Sequence, residues 1–502
     1  MTANPGHLDL QAVAKTVVQQ HGFQPDFSPA VQQQLQQLRA NPPAIAAAGT
    51  VRDLRSQLWS SIDNDTSRDL DQIEVEERLS DGTVKVMIGI ADVDAFVPKQ
   101  SAIDQHAARE TTTVYAGIRN FPMLPEELST GKTSLLEHQD CLSVVTEFVV
   151  NADGHVTTSN VYRALVRNQA QLQYNSVGAW LEGTAAAPPK VAASADLQAQ
   201  LRLQDEVAQK LRTRRYENGA LDLQTNEVLP LVLNAQVVDV VRQQRNHATE
   251  LIEDFMIAAN GVVARMLAKV SSLRRIVKQP ERWDRIVQLA ATYGEKLPAA
   301  PDSKALNDFL VKRKGADPDH FADLSLAVIK LIGPGEYALE RPGDAAPGHF
   351  GLAVQDYTHS TAPNRRFADM VTQRLVKAML ASQSSPYSDN ELSLIAANCT
   401  EKGDAARKVE RDMSKRLAAV AMQNRIGAIF DAIVTGATPK GTFVRVAQPH
   451  IEGLLAQGQQ GVDVGDKLQV KLIRVDVQRG YIDFARIQAQ PLNSPAGNHT
   501  SQ

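Results

Sequence analysis

Asp63, Asp65, Asp69 and Asp71 fall within nine positions of the segment SIDNDTSRDLDQIE, residues 61–74, which offers little apolar surface to bury them. Carboxylates this close repel, and each raises its neighbours' proton affinity unless a cation sits among them. Oxygen-only donors on a short irregular segment suit Mg²⁺, which takes hard ligands in octahedral geometry and leaves positions open for water and a substrate phosphate. A solvated acidic loop is the other reading that this cluster allows by itself.

The chain that must position these acids has 502 residues, 43% hydrophobic and 22% charged, which is enough for a sizeable core and about three domains. Cys141 and Cys399 are far apart, with no CxxC, so neither a disulfide framework nor a thiolate zinc site is expected. MTANPGHLDLQAVAK lacks a basic head followed by an apolar run, and no stretch nears the roughly 18 apolar residues that span a bilayer. The expectation is a cytoplasmic chain with no membrane partner. The net charge of −4 divides unevenly: residues 401–502 hold 14 Lys+Arg and 10 Asp+Glu, a net of +4, leaving −8 for the rest. A basic excess at one end suits a polyanion-binding module joined to an acidic site, and chance would also produce it.

The expected fold class is multidomain α+β. Residues 1–48 read as a small N-terminal helical domain, with Ser28 and Pro29 as cap and first turn and Val31, Leu35 and Leu38 at helical spacing. It forms either a helix-turn-helix-like unit or an arm packed on the main body. Residues 49–392 read as a central mixed α/β domain: VKVMIGIADVDAFV (84–97) as a long strand, LSVVTEFVV (142–150) and HVTTSNVYRALV (155–166) as a hairpin. GTAAAPPKVAASAD (183–196) is a surface connection. Residues 393–426 read as a long helix with a basic face, and 427–487 as five short strands closing a small OB-fold barrel. The polar tail 488–502 is expected to be disordered.

Several motifs then occur in a familiar order: SIDNDTSRDLDQ, VMIGIADVDAFV, NFPMLPEELS, HATELIEDFMIAAN, HFGLAVQDYTHSTAPNRRFADMVTQRLV and the terminal barrel. Over roughly residues 55–487 the chain resembles the RNase II/RNase R family of bacterial 3′→5′ exoribonucleases. The central domain is then an RNB-type catalytic domain, and the barrel the RNA-binding OB domain that closes it. The cold-shock-type barrels usual ahead of that domain have no counterpart in residues 1–48.

Residue by residue, the resemblance implies that Asp63, Asp69 and Asp71 match three of four catalytic aspartates. The fourth position is Gln72. An amide oxygen can coordinate Mg²⁺ or hold a water, but one negative charge is lost, and turnover about 10–100-fold slower is the expectation. Glu74 and Asp94 are possible substitutes. Tyr115, seven residues before Pro122, matches an aromatic that stacks near the RNA 3′ end; by itself it reads as a half-buried packing residue. Glu253 and Asp254 match an acidic pair that reaches the terminal ribose hydroxyls; by themselves they read as a solvated helix face. Arg365 matches the catalytic cation, and Arg366 is assigned to the RNA backbone, although Ser360, Ala362 and Asn364 depart from the family's usual residues there. His349 and His359, ten residues apart without a helically spaced acid, read as structural or RNA-contacting. In the barrel, Phe443 and Tyr481 are candidates for base stacking and Lys440 for phosphate attraction.

The resemblance therefore implies a Mg²⁺-dependent enzyme, with one or two ions and Mn²⁺ as a possible substitute. It would degrade single-stranded RNA processively from the 3′ end to nucleoside 5′-monophosphates, as a monomer. Two other classes stand beside it. One is an RNA-binding protein whose site Gln72 has weakened. The other is a DNA- or structured-RNA reader built on the N-terminal helices, for which Lys15 and Arg39, the only Lys or Arg in residues 1–48, supply little phosphate contact.

Overall fold

The computed structural model describes residues 9–43, 51–224, 228–233, 236–242, 245–318, 320–345, 347–438 and 441–487; within the hairpin 228–242 only the backbone is described. Helices α1 (Leu10–Gln20) and α2 (Pro29–Ala40) come first. Asp9 caps α1, its carboxylate accepting from the amides of Gln11 and Ala12, and Ser28 caps α2 with Pro29 in the first turn.

The centre is a seven-stranded sheet. Its strands are β1 (Val51–Asp53), β2 (Ser60–Asp63), β3 (Gln72–Arg78), β4 (Val84–Ala91), β7 (Asp140–Val150), β8 (Val156–Arg167) and β9 (Ala170–Gln173). The short pair β5 (Val114–Tyr115) and β6 (Asn120–Phe121) and helix α3 (Ala102–Glu110) intervene. The order is β1-β8-β7-β4-β3-β2-β9, with β1–β8 and β2–β9 parallel and the other pairs antiparallel. β4 is buried along nearly its whole length on both faces, which explains its unbroken apolar run. The strand ends at Ala91 rather than continuing to residue 97, because the Asp92 carboxylate caps a 3₁₀ turn by accepting from Ala95 N. The hairpin read from 142–166 is β7–β8, paired from Asp140↔Arg167 to Val150↔Val156. β2 ends on Asp63 and β3 begins on Gln72, so the acidic loop joins adjacent strand ends.

Helices α4 (Tyr174–Leu181), α5 (Pro189–Ala192), α6 (Ala195–Glu217) and α7 (His247–Met266) follow, with the hairpin β10 (Val228–Leu233) and β11 (Gln236–Arg242) between α6 and α7. The connection 183–196 therefore contains a short helix and the start of a long one. Next come β12 (Ser272–Ile276), α8 (Trp283–Thr292), α9 (Ser303–Ala316), α10 (Phe321–Ile332) and β13 (Glu336–Glu340), the last paired with β12.

Helix α11 (Phe367–Leu380) is buried at every residue from Phe367 to Val376 and begins immediately after Arg366. A helix apolar on several faces belongs in the middle of a domain, and its few polar side chains serve as ties. Gln373 donates to Ala91 O (2.8 Å) and accepts from Asp94 N (3.1 Å), fixing α11 to the end of β4. Arg374 holds Asp94 (2.7 Å), Asp104 (2.8 Å), the Tyr387 hydroxyl (2.7 Å) and Val97 O (2.6 Å).

Helix α12 runs over Asp389–Met422, starting earlier than the expected 393 because Ser388 and Glu391 form a capping box. The barrel comprises β14 (Ile429–Thr438), β15 (Gly441–Val446), β16 (Ile451–Gln457), β17 (Lys467–Asp476) and β18 (Tyr481–Arg486). Its strands close in the order first-second-third-fifth-fourth of an OB fold. Leu417 and Met422 of α12 share its core with Val444, Leu472 and Phe484. At Gly480 (φ +68°) the β17–β18 turn presses on α12, where a Cβ would meet the Lys415 backbone at 2.9 Å. The tail 488–502 lies outside the described residues.

The N-terminal helices pack as an arm. Ala14, Val17 and Val18 of α1 meet Ala406, Val409 and Met413 of α12, while Val31 and Leu35 of α2 join the core under the sheet. Their apolar faces are spent on the main body, so they build no helix-turn-helix core of their own. Among the described residues no helix is long and apolar enough to cross a membrane.

Arg374→Met keeps the volume and removes the cation shared by Asp94 and Asp104. We expect a loss of about 3 kcal/mol in urea unfolding, because buried Asp104 and partly buried Asp94 lose a partner. A loss under about 1 kcal/mol would show that α11 is not anchored through this ion pair.

Candidate active site

The acidic loop is braced from below. Leu70 N donates to Ser134 Oγ (2.9 Å), Ser134 Oγ donates to Arg68 O (2.6 Å), and Leu135 N donates to Leu70 O (3.0 Å). Asp63 Oδ1 accepts from Asn64 N (2.7 Å) and Ser67 Oγ (2.9 Å), local bonds that hold the loop's first carboxylate. Asp63 and Asp69 are partly exposed and Asp65 is exposed. Burial raises the Asp69 pKa and the Asp63 charge adds to the rise, while Arg365 draws it back.

Asp71 is buried. Its Oδ1 accepts from Asn364 N (2.9 Å) and its Oδ2 from Arg365 Nε (3.3 Å). Burial pushes this carboxyl up to about 7, against the pull of the Arg365 charge and the Asn364 amide. Asn364 is itself locked, its Nδ2 donating to Thr133 O (3.1 Å) and its Oδ1 accepting from Thr133 Oγ1. The departure at Asn364 noted in the sequence therefore supplies a brace.

Arg365 and Arg366 sit on the turn that starts α11. Arg366 is bidentate to Asp369 (2.8 and 2.6 Å), whose Oδ1 also accepts from Ala362 N (2.9 Å). The segment before β5 pairs with this turn: Thr113 N donates to Arg365 O (3.0 Å) and Phe367 N to Thr111 O (2.8 Å). That pairing puts Tyr115, 36% exposed, beside Arg365. Burial works against the Arg365 charge, but Tyr115, Asp71, Asp63 and Asp69 together hold it protonated beyond an ordinary guanidinium.

Beside these groups a cavity of about 210 Å³ is lined by Tyr115, Arg275, Tyr337, Arg365, Arg366 and Arg407, among others. Arg275 lies over the Tyr337 ring (5.0 Å), and its pKa is lowered by burial and by the charges of Arg407 and Arg366. Crowded guanidinium groups of this kind favour an anion such as a phosphate. Arg275, Tyr337 and Arg407 carried no sequence signal, since they come from three distant segments. In the wall of the cavity, His359 Nδ1 bonds the Tyr337 hydroxyl (2.7 Å), and both His349 and His359 stack edge-on against Tyr357. His349 and His359 thus pack through aromatic contacts, with His359 also lining the cavity.

Other expected residues lie elsewhere. Asp254 is buried, with its carboxylate held by Arg212 (2.9 Å) and Arg215 of α6. Both of its oxygens are engaged in joining α6 and α7. Glu253 is exposed and pairs with Arg245 (2.5 Å). Phe443 is half-buried on the barrel's outer side, and Arg445, two residues on, pairs with Asp323 of α10 (2.7 and 2.9 Å). Tyr481 is exposed, and Lys440 lies outside the described residues. Asp94 is engaged by Arg374 and Lys377, which leaves it a structural acid.

Among the described residues no three His, Cys, Asp or Glu side chains converge as a ready-made metal cage. The expected ligand set of Asp63, Asp69, Asp71 and Gln72 is therefore an open one. Gln72 is buried at the start of β3, its backbone paired with Ile90. Asp63 and Asp69 stay partly open to solvent, while Asp71 is turned to Arg365. Two solvent-accessible carboxylates are oxygen donors of the kind a hard divalent cation takes.

Residues 51–382 match the family model of the RNB domain, and residues 428–487 match that of the RNase II-type exonuclease C-terminal S1 domain. Ribonuclease R of Thermotoga maritima is 31% identical over 472 residues, covering 87% of this chain and 65% of that protein. The chain spans less than two thirds of the length of the curated relatives it matches first. Mycoplasma genitalium RNase R in complex with ribose methylated single-stranded RNA has a TM-score of 0.84 at 21% identity, covering 95% of this chain and 78% of that one. Yeast Ssd1, a pseudonuclease, has a TM-score of 0.68 at 16% identity, covering 88% and 55%.

The histidines set an acid limit. Burial, reinforced by Arg275, lowers the His349 pKa to about 4, and burial drives His359 well below its ordinary value. Their neutral forms stabilise the fold above pH ~6.5, the unfolded value, and that contribution is lost as pH falls towards the folded values. Urea midpoints should therefore drop between pH 7 and pH 5, and His349→Gln should flatten the drop. An unchanged slope would place the acid lability elsewhere.

Proposed function

The chain belongs to the RNB-domain family of ribonucleases, and from that premise we propose that it is a Mg²⁺-dependent 3′→5′ exoribonuclease acting on single-stranded RNA. The observation that carries the reading is one juxtaposition. Two partly exposed carboxylates, Asp63 and Asp69, face a guanidinium that buried Asp71 holds in place, with an exposed tyrosine ring alongside.

Asp63 and Asp69 would hold the cation, with the Gln72 amide as a neutral neighbour. When bound, it would supply charge to the phosphate oxygens and a water of lowered pKa. Arg365 is positioned for the charge that builds on the scissile phosphate as water adds and the bond to the 3′ oxygen breaks. Asp71 and Asn364 keep that guanidinium from swinging away. Tyr115 offers a sequence-tolerant stacking face, worth roughly 1–3 kcal/mol per base. Arg275, Arg366 and Arg407 line a path for backbone phosphates. Hydrolysis at the last phosphodiester releases a nucleoside 5′-monophosphate and leaves a 3′-hydroxyl on the shortened strand, so the cycle can repeat. The OB barrel and exposed Tyr481 extend the single-strand track.

Gln72 favours one second reading, an RNA-binding protein that has lost turnover. A time course on 5′-labelled single-stranded RNA separates the two, run with Mg²⁺, with EDTA and with the Asp71→Asn protein. Stepwise shortening from the 3′ end, dependent on metal and slowed at least ~100-fold by Asp71→Asn, is the expected result. Retained RNA binding without shortening in Mg²⁺ or Mn²⁺ would establish the non-catalytic reading.

A further inference from the structure

The turn after α1 is made by Gly22. At φ +85° it is the left-handed residue that ends the helix, with Gly22 N donating to Gln19 O (3.0 Å) and Phe23 N to Val18 O (3.3 Å). That closure brings Phe23 back beside Val18, into a buried cluster with Val17, with Val409 and Met413 of α12, and with Val114, Ala116 and Phe121. Lys402 of α12 pins the turn: its Nζ donates to Gly22 O (2.5 Å) and lies over the Phe23 ring (4.7 Å). One residue on, Gln24 N donates to Oε2 of Glu110 (2.9 Å), the last residue of α3.

These contacts bracket one segment, with Glu110 at its start, Phe121 at its end and Tyr115 between them. Val114 and Ala116 are each 1% exposed in the cluster with the arm, and alternation along the strand turns Tyr115 to the other side, where it lines the cavity with Arg365. Ile118 packs on both the arm's cluster and that of the barrel. The bond from Thr113 N to Arg365 O ties the same segment to the arginine turn. β5 and β6 have two residues each, and so small a hairpin does not hold its shape without packing. Resting on the reading that Tyr115 stacks on the terminal base of the RNA, we propose that the N-terminal arm is a positioning element of the active site. Phe23 and Val17, both buried, hold the β5–β6 pair where the Tyr115 ring meets that base. The arm then serves the grip on the 3′ end through Tyr115, without touching RNA at these residues.

The test reads the stack itself. The full chain, kept in EDTA to prevent cleavage, is titrated with a short single-stranded RNA whose 3′-terminal base is 2-aminopurine, a fluorophore quenched on stacking. Tyr115→Ala should weaken binding by about 5–100-fold and relieve the quenching. Phe23→Ala should weaken binding severalfold and relieve part of the quenching, whereas in the Tyr115→Ala background it should change neither. An RNA of the same length lacking its terminal base should bind the parent and Phe23→Ala equally, which a merely structural role for Phe23 would not produce. Val17→Ala removes less volume and should give the same pattern at smaller size with a Tm near the parent's, so the outcome does not hang on Phe23→Ala folding. Parent-like binding and quenching by both arm variants, or an equal loss with and without Tyr115, would overturn the proposal and leave the stacking reading standing. Parent-like binding and quenching by Tyr115→Ala would overturn both.

Discussion

The bond between Asp71 and the Asn364–Arg365 turn is the constraint on which the site depends. It joins two loops separated by 293 residues, one at the junction of β2 and β3 and the other at the head of α11. Neither loop is rigid by its own sequence. The acidic loop is held by Ser134 and Leu135 beneath it, and the arginine turn by Thr133 and Asp369. The segment 133–135 therefore touches both, so the two loops share one brace. Helix α11, buried almost all round and tied to β4 through Gln373, transmits the position of the sheet to the arginines. A shift of α11 would move Arg365 relative to every carboxylate of the loop.

That geometry sorts acids that look equivalent in the sequence. Asp63, Asp69 and Asp71 have the same chemistry and close spacing, yet burial separates them. Asp71 is enclosed and divides its oxygens between the Asn364 amide and Arg365, while Asp63 and Asp69 keep access to solvent. The same sorting applies to Glu253 and Asp254. They are adjacent on α7, but the helix turns one to solvent and the other into the arginines of α6. A periodicity argument could have found this, since Asp254 lies three residues from Leu251 and belongs to the buried stripe.

Local signals survived translation into structure where they were strong. Ser28–Pro29, the β7–β8 hairpin and the five barrel strands each carry their own turn or cap chemistry. The acid loop and Arg365 were legible through motif order, although nothing in the order said that Asn364 would act as a brace. The misses follow from interactions between distant segments. The strand at 84–97 stops early because Asp92 caps a turn, and α12 starts early through a capping box that needs the structure to be seen closing. The N-terminal helices have the lengths of a helix-turn-helix, but their apolar faces are complementary to α12 and to the main core, not to each other. Arg275 and Arg407 line the cavity without any sequence pattern, because only the fold brings them together.

The fold does not by itself decide the chemistry, since a pseudonuclease shares it closely. What distinguishes an active site from a binding groove on this scaffold is the charge gathered where β2, β3 and the α11 turn meet. Gln72, at the start of β3, adds no charge to that place. A groove that only bound RNA would gain from losing carboxylates, because each one repels phosphate. This chain has Asp63, Asp69 and Asp71 near Arg365 and carries two buried glutamates, Glu74 and Glu76, at alternate positions of β3. On the function proposed above, a cation would bridge these acids and the polyanion that they otherwise oppose.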